Sequence, residues 1–423
     1  MTSSLRAEYV ATACFAAAVA HTFLTRQFAL LARKFKEGSL MENLFHYLAE
    51  VEVVFGLWSI PFLGFLVFSQ NLDFAVKYLE SIDFTEPVFV FVIMTMAATR
   101  PVMNFFDKSL VEVSRLFPSS LQSSAFFLCA LILAPLLGSF ITEPAAMVIA
   151  ALLLKPLVFT RQTSAFLRYG SLAVLLVNVS IGGTLTHFAA PPVIMVTKKW
   201  GWDLWFMLEN FGWKSILAVL INSIALYIIN IKEIQRKPIV RRASSTHIPL
   251  WMFLSHAVFI SLVVKYHVSM AFFVPLFLLF IGWTDVTREY QEPLKLREGL
   301  LVGFFLGGLV TLGQLQRWWI EPIVSSLSPL QLYIGATGLT AITDNAALTY
   351  LGTLIPSLDD VSRYVLVAGA VAGGGLTVIA NAPNPIALGL LKDEFPDKNV
   401  HPFMLLLAAI LPTVVACFAF WYL

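Results

Sequence analysis

A short motif with a carboxylate near its centre occurs twice in this chain, each time inside a long apolar stretch. The first copy, TEPAA at 142–146, carries Glu143, and the second copy, TDNAA at 343–347, carries Asp344. A charged side chain deep in an apolar segment is costly, and it is rare unless it handles an ion or a proton. The fold must therefore bring two such carboxylates into protected and comparable positions.

A second interruption, rich in glycine, threonine and proline, follows each copy of the motif. GGTLT at 182–186 precedes two prolines at 191–192, and GGGLT at 373–377 precedes PNP at 383–385. Glycine and proline interrupt helices, and an interruption frees backbone carbonyls that can coordinate a cation. Paired carboxylates beside paired helix breaks are typical of a secondary transporter built from two repeats.

The composition places the chain in a membrane. Hydrophobic residues make up 58% of the 423 residues, charged residues make up 13%, and the net charge is +2. The mean hydropathy is +0.80, whereas a soluble chain carries roughly a quarter charged residues. We therefore expect an all-α polytopic membrane protein whose partner is the lipid bilayer. The near-neutral charge argues against nucleic-acid binding.

The loops orient the apolar segments, because loops rich in Lys and Arg stay on the cytoplasmic side. The basic segments 33–36 and 232–242 are predicted to be cytoplasmic, and the acidic loop 70–87 is predicted to be external. These assignments agree only if 123–158 and 328–357 each enter and leave the membrane on one side. The predicted elements are 9–31, 44–69, 88–106, 123–158, 171–196, 213–231, 249–265, 269–284, 299–319, 328–357, 364–391 and 402–423.

The predicted topology is two inverted repeats, each with a re-entrant hairpin and a discontinuous helix. Irregular backbone at membrane depth is tolerated only where protein or a water-filled cavity surrounds it. The hairpin tips and helix breaks are therefore expected to meet near the middle of the membrane. The predicted bounds are 1–231 for the first repeat (hairpin 123–158, broken helix 171–196), 232–248 for a cytoplasmic linker, and 249–423 for the second repeat (hairpin 328–357, broken helix 364–391).

The two hairpin tips carry the main candidates for ion binding. Asp344 lies between Thr343 and Asn345, and such oxygen-rich side chains suit a hard cation. Glu143 is followed by a proline, which offers no donor. Each carboxylate has an alternative role as the cap of a half-helix, where the helix dipole favours negative charge. We predict a Na⁺ site at Asp344, Asn345 and Asn381, with Glu143 as a partner or a brace.

Hydroxyl and amide side chains around the tips and breaks are expected to supply neutral oxygen ligands. The alternative is that the Gly-Gly-Thr sequences only allow close helix packing. His187, inside the first break, titrates near physiological pH and is a candidate for a proton relay, with Asn178 as a possible support. The expected neutral ligands are Thr142, Thr184, Thr186, Thr343, Asn345, Thr377, Asn381 and Asn384.

Three other charged residues in the predicted spans have two interpretations each. Arg100 would pair with a buried carboxylate or extend its charged end toward the interface. Glu50 and Glu52, in the second predicted span, would form an inter-helix ion pair or take part in transport. Both interpretations stay open at the level of the sequence.

The motifs resemble those of the ion transporter superfamily, which includes D-type sodium/proton antiporters and arsenite, citrate and divalent-anion carriers. TDNAA at 343–347 is similar to the acidic hairpin tip of the antiporters. GGT at 182–184 and NAPNP at 381–385 are similar to the two broken-helix signatures. The family of putative sodium/proton antiporters is the nearest resemblance, and it implies a homodimer. Dicarboxylate symporters resemble one another in Ser-Asn-Thr tips, whereas both tips here are acidic, which favours a cation.

The predicted function is exchange of Na⁺ for H⁺ by alternating access, with no cofactor besides these transported monovalent cations. One alternative is a Na⁺-coupled carrier of an organic or inorganic anion, for which Arg100 is the candidate basic residue. A membrane-embedded aspartyl protease would need two facing aspartates, and Asp344 has only Glu143 as a partner, so no enzyme is expected. The membrane would be a bacterial inner membrane or an organellar one.

Overall fold

The structure is a computed structural model, and it describes residues 3–160, 162–237, 248–395 and 398–423. Helices form the framework, and the described ranges contain no strand. In these ranges seven helical segments are long and apolar enough to cross a membrane, or eight if a bent pair counts as one span. The prediction of an all-α polytopic membrane protein is confirmed. Residues 238–247 of the predicted linker 232–248 lie outside the described residues.

The first helices depart from two of the predicted spans. The span predicted at 44–69 is two helices, because α2 ends at Leu48 and a 3₁₀ turn at Val51–Val53 precedes α3. The span predicted at 88–106 bends by 62° between α5 and α6, where Pro101 occupies the first turn of a new helix, a position that proline favours. The bounds are α1 Ser3–Ala32, α2 Leu40–Leu48, α3 Val54–Ser69, α4 Leu72–Glu80, α5 Thr85–Ala97 and α6 Arg100–Arg115.

The first carboxylate motif separates α7 from α8, and the first Gly/Pro-rich break separates α9 from α10. Gly182 ends α9, a 3₁₀ turn follows at Gly183–Leu185, and Pro191 begins α10. The interruptions therefore lie where the glycines and prolines predict them. The bounds are α7 Gln122–Ile141, α8 Glu143–Val158, α9 Ala165–Gly182, α10 Pro191–Trp200, α11 Leu204–Met207 and α12 Trp213–Gln235, with a π-turn joining the last two.

The second half of the chain repeats this order of elements. Asp344 separates α17 from α18, and residues 374–383 separate α19 from α20. The bounds are α13 Leu250–Lys265, α14 Met270–Val286, α15 Leu296–Gly313, α16 Arg317–Val324, α17 Pro329–Thr340, α18 Asn345–Thr353, α19 Asp360–Gly373, α20 Asn384–Leu391 and α21 Pro402–Tyr422.

The two predicted hairpins differ in the length of their helices relative to the thickness of the membrane. The 12 residues of α17 and the 9 residues of α18 correspond to about 18 and 14 Å at 1.5 Å per residue. Both helices are too short for a hydrocarbon core of about 30 Å. In contrast, α7 belongs to an apolar segment that is long enough to cross. Helix length therefore favours a re-entrant path for the second hairpin more than for the first, and both re-entrant paths stay predictions.

The helices pack in two groups, and the hairpins and broken helices belong to the same group. α1, α3, α5, α13, α14 and α15 pack mainly on one another, whereas α7–α12 pack with α17–α21. Within the second group the halves are exchanged: α10 packs on α18, and α20 packs on α8. The helix after each break thus lies against the hairpin of the other half, which brings both carboxylate motifs close to both breaks.

Candidate functional site

The first hairpin tip buries Glu143 completely. α7 ends at Ile141, and Thr142 turns the chain with a φ of 78°, a value that residues other than glycine rarely adopt. Glu143 Oε2 accepts a hydrogen bond of 2.8 Å from Nδ2 of Asn381 in the second break. Its Oε1 has no hydrogen-bond partner among the described residues. The first tip and the second break therefore share one carboxylate.

Two glycines allow the breaks to approach these side chains. A Cβ added at Gly183, in the first break, would lie 2.5 Å from Glu143 Oε1. A Cβ added at Gly374, in the second break, would collide with Ser180 and lie 3.0 Å from Asn345 Nδ2. Real Cβ atoms do not approach that closely, so only glycine fits at either position without a shift of its neighbours.

The second hairpin tip uses Asp344 as the N-cap of α18. Its Oδ1 accepts hydrogen bonds from the backbone N–H groups of Ala346, at 2.8 Å, and Ala347, at 3.3 Å. The capping role considered from the sequence is therefore present. Oδ2 takes no part in this cap, and the side chain borders a cavity, so the same residue retains an oxygen for a ligand.

Three buried asparagines surround the tips with unused oxygens. Asn345, Asn381 and Asn384 are at most 1% exposed, and Oδ1 of each has no partner among the described residues. Asn384 is oriented by its Nδ2, which donates to the carbonyls of Gly374, at 2.7 Å, and Thr377, at 2.8 Å. A buried oxygen without a partner is costly, and amide oxygens are ligands that hard cations accept. The arrangement can hold a small cation without additional negative charge.

A small cavity beside Asp344 contains a carboxylate that the sequence did not assign to the site. The cavity has a volume of about 20 Å³, and Asp344, Asn381 and Glu52 contribute to its wall. Glu50 forms an ion pair of 2.8 Å with Arg297, whereas no such pair involves Glu52 within the described ranges. The ion-pair interpretation therefore applies to Glu50, and Glu52 lines the same cavity as Asp344. The signal in the sequence was a pair of carboxylates, Glu50 and Glu52, within a predicted span.

Thr186 and Thr377 hold each break to its own hairpin, whereas Thr184 is bonded to the end of α9, the helix that precedes it. Thr186 Oγ1 donates to the carbonyl of Ser139 at 2.6 Å, and Thr377 Oγ1 donates to the carbonyl of Ala341 at 2.7 Å. Thr184 Oγ1 donates to the carbonyl of Ile181 at 2.7 Å. These hydroxyl protons are used inside the protein, so the threonines position the backbone.

Replacing Thr186 with valine is expected to destabilise the protein by about 1–3 kcal/mol, because the buried Ser139 carbonyl loses its hydroxyl partner. Thr377→Val should have a smaller effect, since Thr377 is only half-buried. Thermal unfolding in detergent measures both changes. The control is Thr25→Val, whose hydroxyl donates only within α1, to the Thr22 carbonyl at 3.0 Å. An unfolding temperature of Thr186→Val equal to that of the control would contradict this role.

Thr142 directly precedes Glu143 and is buried, and Thr343 directly precedes Asp344 and is half-buried.

Asn178 forms its hydrogen bonds with other helices: its Nδ2 donates to the Leu131 carbonyl and to Ser223 Oγ, both at 2.9 Å. Asn178 therefore connects α9 to α7 and α12. Arg100 lies 3.6 Å from the more exposed Glu292, and neither residue is among the described residues that line the cavity beside Asp344.

His187 borders a different cavity from the one beside Asp344. Its ring centroid lies 5.2 Å from that of His267, and Glu86 and Lys198 complete the charged part of the wall. Lys198 also forms an ion pair with Asp83. Burial raises the pKa of Asp83, but hydrogen bonds from Lys198 and Thr85 outweigh it and hold that pKa below its ordinary value. The proposed relay through His187 would need a path between the two cavities.

Comparison with known families gives one finding. The family model described as "Putative Na+/H+ antiporter" matches residues 6–423. This match covers nearly the whole chain, including both hairpin tips, both breaks and the turn that carries Glu52. No curated protein matches the chain.

Proposed function

The chain belongs to the putative Na+/H+ antiporter family, and on that premise we propose that it exchanges Na⁺ for H⁺ across a membrane by alternating access. The observation that carries the proposal is the buried Glu143 hydrogen-bonded to Asn381, with unused amide oxygens beside it. A carboxylate in such a place can be neutralised either by a proton or by a cation. The two ions would therefore compete for one site.

The packing supports a moving unit for alternating access. The hairpins and broken helices pack with one another, whereas the α1, α3, α5 and α13–α15 group packs mainly on itself. We propose that the first group moves against the second, carrying Glu143 and Asp344 between the two sides. The exchanged packing of α10 on α18 and α20 on α8 supports two inverted repeats with the predicted bounds. A homodimer in a bacterial inner membrane or an organellar membrane stays a prediction.

Proteoliposomes that contain the purified protein test the exchange. An imposed Na⁺ gradient is expected to move protons in the opposite direction, reported by a trapped pH-sensitive dye. Absence of proton movement would contradict the proposal. The same vesicles test the anion-carrier alternative, which requires Na⁺ uptake that depends on an added dicarboxylate or inorganic anion. Among the described residues, the lining of the cavity beside Asp344 contains two carboxylates and no basic residue, which favours a cation.

Glu52 is proposed as a third carboxylate of the ion pathway, between the scaffold helix α3 and Asp344. Replacing Glu52 with glutamine is expected to slow exchange by about tenfold or more, because a carboxylate that transfers protons is lost. Glu50→Gln is the matched control, since its exposed pair with Arg297 is worth at most about 1 kcal/mol. Rates are measured in the proteoliposomes above. Equal rates for both variants would remove Glu52 from the pathway.

A further inference from the structure

One face of α12 changes from apolar to basic toward its C-terminal end. Asn222, Ala225, Leu226 and Ile229 line an apolar groove of about 610 Å³ that α9 and α21 complete. Lys232 and Arg236, together with Lys237 just after the helix, line a second cavity of about 590 Å³. Residues three and four apart lie on one face of a helix. The groove and the basic cavity are therefore consecutive along α12.

The groove is open and apolar along its length. Phe166, Leu407 and Leu411 are 61%, 49% and 65% exposed, so the lining faces outward. On α12 the lining begins at Asn222, whose Nδ2 donates to Asn178 Oδ1 at 3.1 Å and to the Pro412 carbonyl at 3.2 Å. The groove therefore stops partway along α12, at a polar residue that already has its partners.

The basic cavity has an excess of positive charge. Its acidic residue, Glu233, accepts hydrogen bonds from Ser164 N, at 2.8 Å, and Ser164 Oγ, at 2.7 Å. Within the described part of the chain, Lys232 and Arg236 take part in no ion pair. Burial lowers the pKa of Lys237, Glu233 raises it, and nearby Arg168 lowers it further. Three basic residues, Lys232, Arg236 and Lys237, outnumber Glu233 in the described lining, so the cavity attracts an anion.

From this juxtaposition we propose that α9, α12 and α21 bind one anionic phospholipid, with an acyl chain in the groove and the headgroup phosphate in the basic cavity. Arg236 follows Asn222 by 14 positions along α12, or about 21 Å, and one leaflet of hydrocarbon is about 15 Å. Basic cavities between helices near the cytoplasmic side bind anionic headgroups. A free phosphate would leave the groove unused, and a partner helix would need a groove along the full span.

Native mass spectrometry of the full chain in detergent tests the site with phosphatidylglycerol and phosphatidylcholine. The wild type is expected to retain one phosphatidylglycerol in preference to phosphatidylcholine. The double variant Lys232→Gln/Arg236→Gln should lower the retained fraction by about tenfold, because the headgroup phosphate loses two positively charged partners. The control is Arg33→Gln/Lys34→Gln, an equal charge change at the exposed end of α1.

A second pair of variants tests the groove. Ala225→Trp fills it and is expected to displace the phospholipid with the basic cavity intact, whereas Ile224→Trp, on the neighbouring exposed position, should not. Equal retention of both lipids, or full retention by the charge variant, would overturn the proposal. It would also be overturned if Ala225→Trp converted a dimer to a monomer without loss of lipid, since the face would then be an interface between copies.

Discussion

Asp344→Asn is expected to reduce Na⁺-driven proton movement in proteoliposomes by at least about 100-fold, in the range seen when a proton-transferring group is lost. The substitution removes the charge but keeps an oxygen at the helix cap, and asparagine caps helices as well as aspartate does. The bonds to the N–H groups of Ala346 and Ala347 should therefore persist. Loss of exchange with an unchanged unfolding temperature would separate the ion-handling role from the capping role.

Asp359→Asn is the matched control for this variant. Asp359 caps α19 through a hydrogen bond of 2.8 Å from the N–H of Ser362, but it is exposed. It undergoes the same chemical change at the same kind of position, away from the cavity. Exchange should be unaffected in the control. Wild-type exchange by Asp344→Asn would show that Asp344 is only a cap.

Glu143→Gln is also expected to reduce exchange by about 100-fold or more, with little change in stability. Glutamine retains an oxygen that can accept the hydrogen bond from Asn381 Nδ2, so the contact between the first tip and the second break should survive. Transport rate and unfolding temperature are both measured. If Glu143 is only a brace, as the sequence left open, the glutamine variant will transport normally.

Glu143→Ala completes the comparison, because it removes the brace as well as the charge. The lost side chain leaves a cavity and an unpaired Asn381 amide, which together cost about 2–4 kcal/mol. We expect the alanine variant to have a clearly lower unfolding temperature than the glutamine variant. Equal temperatures would contradict the structural part of the role assigned to Glu143.

Much of the architecture follows from local patterns along the chain. The glycines and prolines at 182–192 and 373–385 coincide with interruptions between helices, because clustered glycines and prolines disfavour a continuous helix, whereas single prolines such as Pro135 and Pro412 lie inside helices. The bend after α5 and the division of 44–69 were missed. Both interruptions lie beside charged residues, Glu50 and Glu52 in one case and Arg100 in the other, but the mean hydropathy of a long apolar segment does not locate a change of direction.

The candidate site was only partly predictable for a different reason. Glu143, Asp344 and Asn381 stand out in the sequence as polar residues in apolar surroundings. Glu52 was ambiguous, because its neighbour Glu50 has the same chemistry, and only the position of Arg297 distinguishes them. Thr184 and Asn178 were expected near the ion, yet their hydrogen bonds are made to α9, α12 and α7. The sequence shows which polar side chains need a partner when they are buried, but it does not show which residues those partners are.

The sequence by itself determined a helical membrane protein with two buried carboxylates and two helix breaks, because the costs of burying charge and interrupting helices are local. Only the tertiary structure decided which break meets which carboxylate. Asn381 of the second half is bonded to Glu143 of the first, 238 residues away in the chain, and Glu52 shares a cavity with Asp344. Such pairings depend on which helices of one half pack against the other half, and local sequence patterns do not predict that packing.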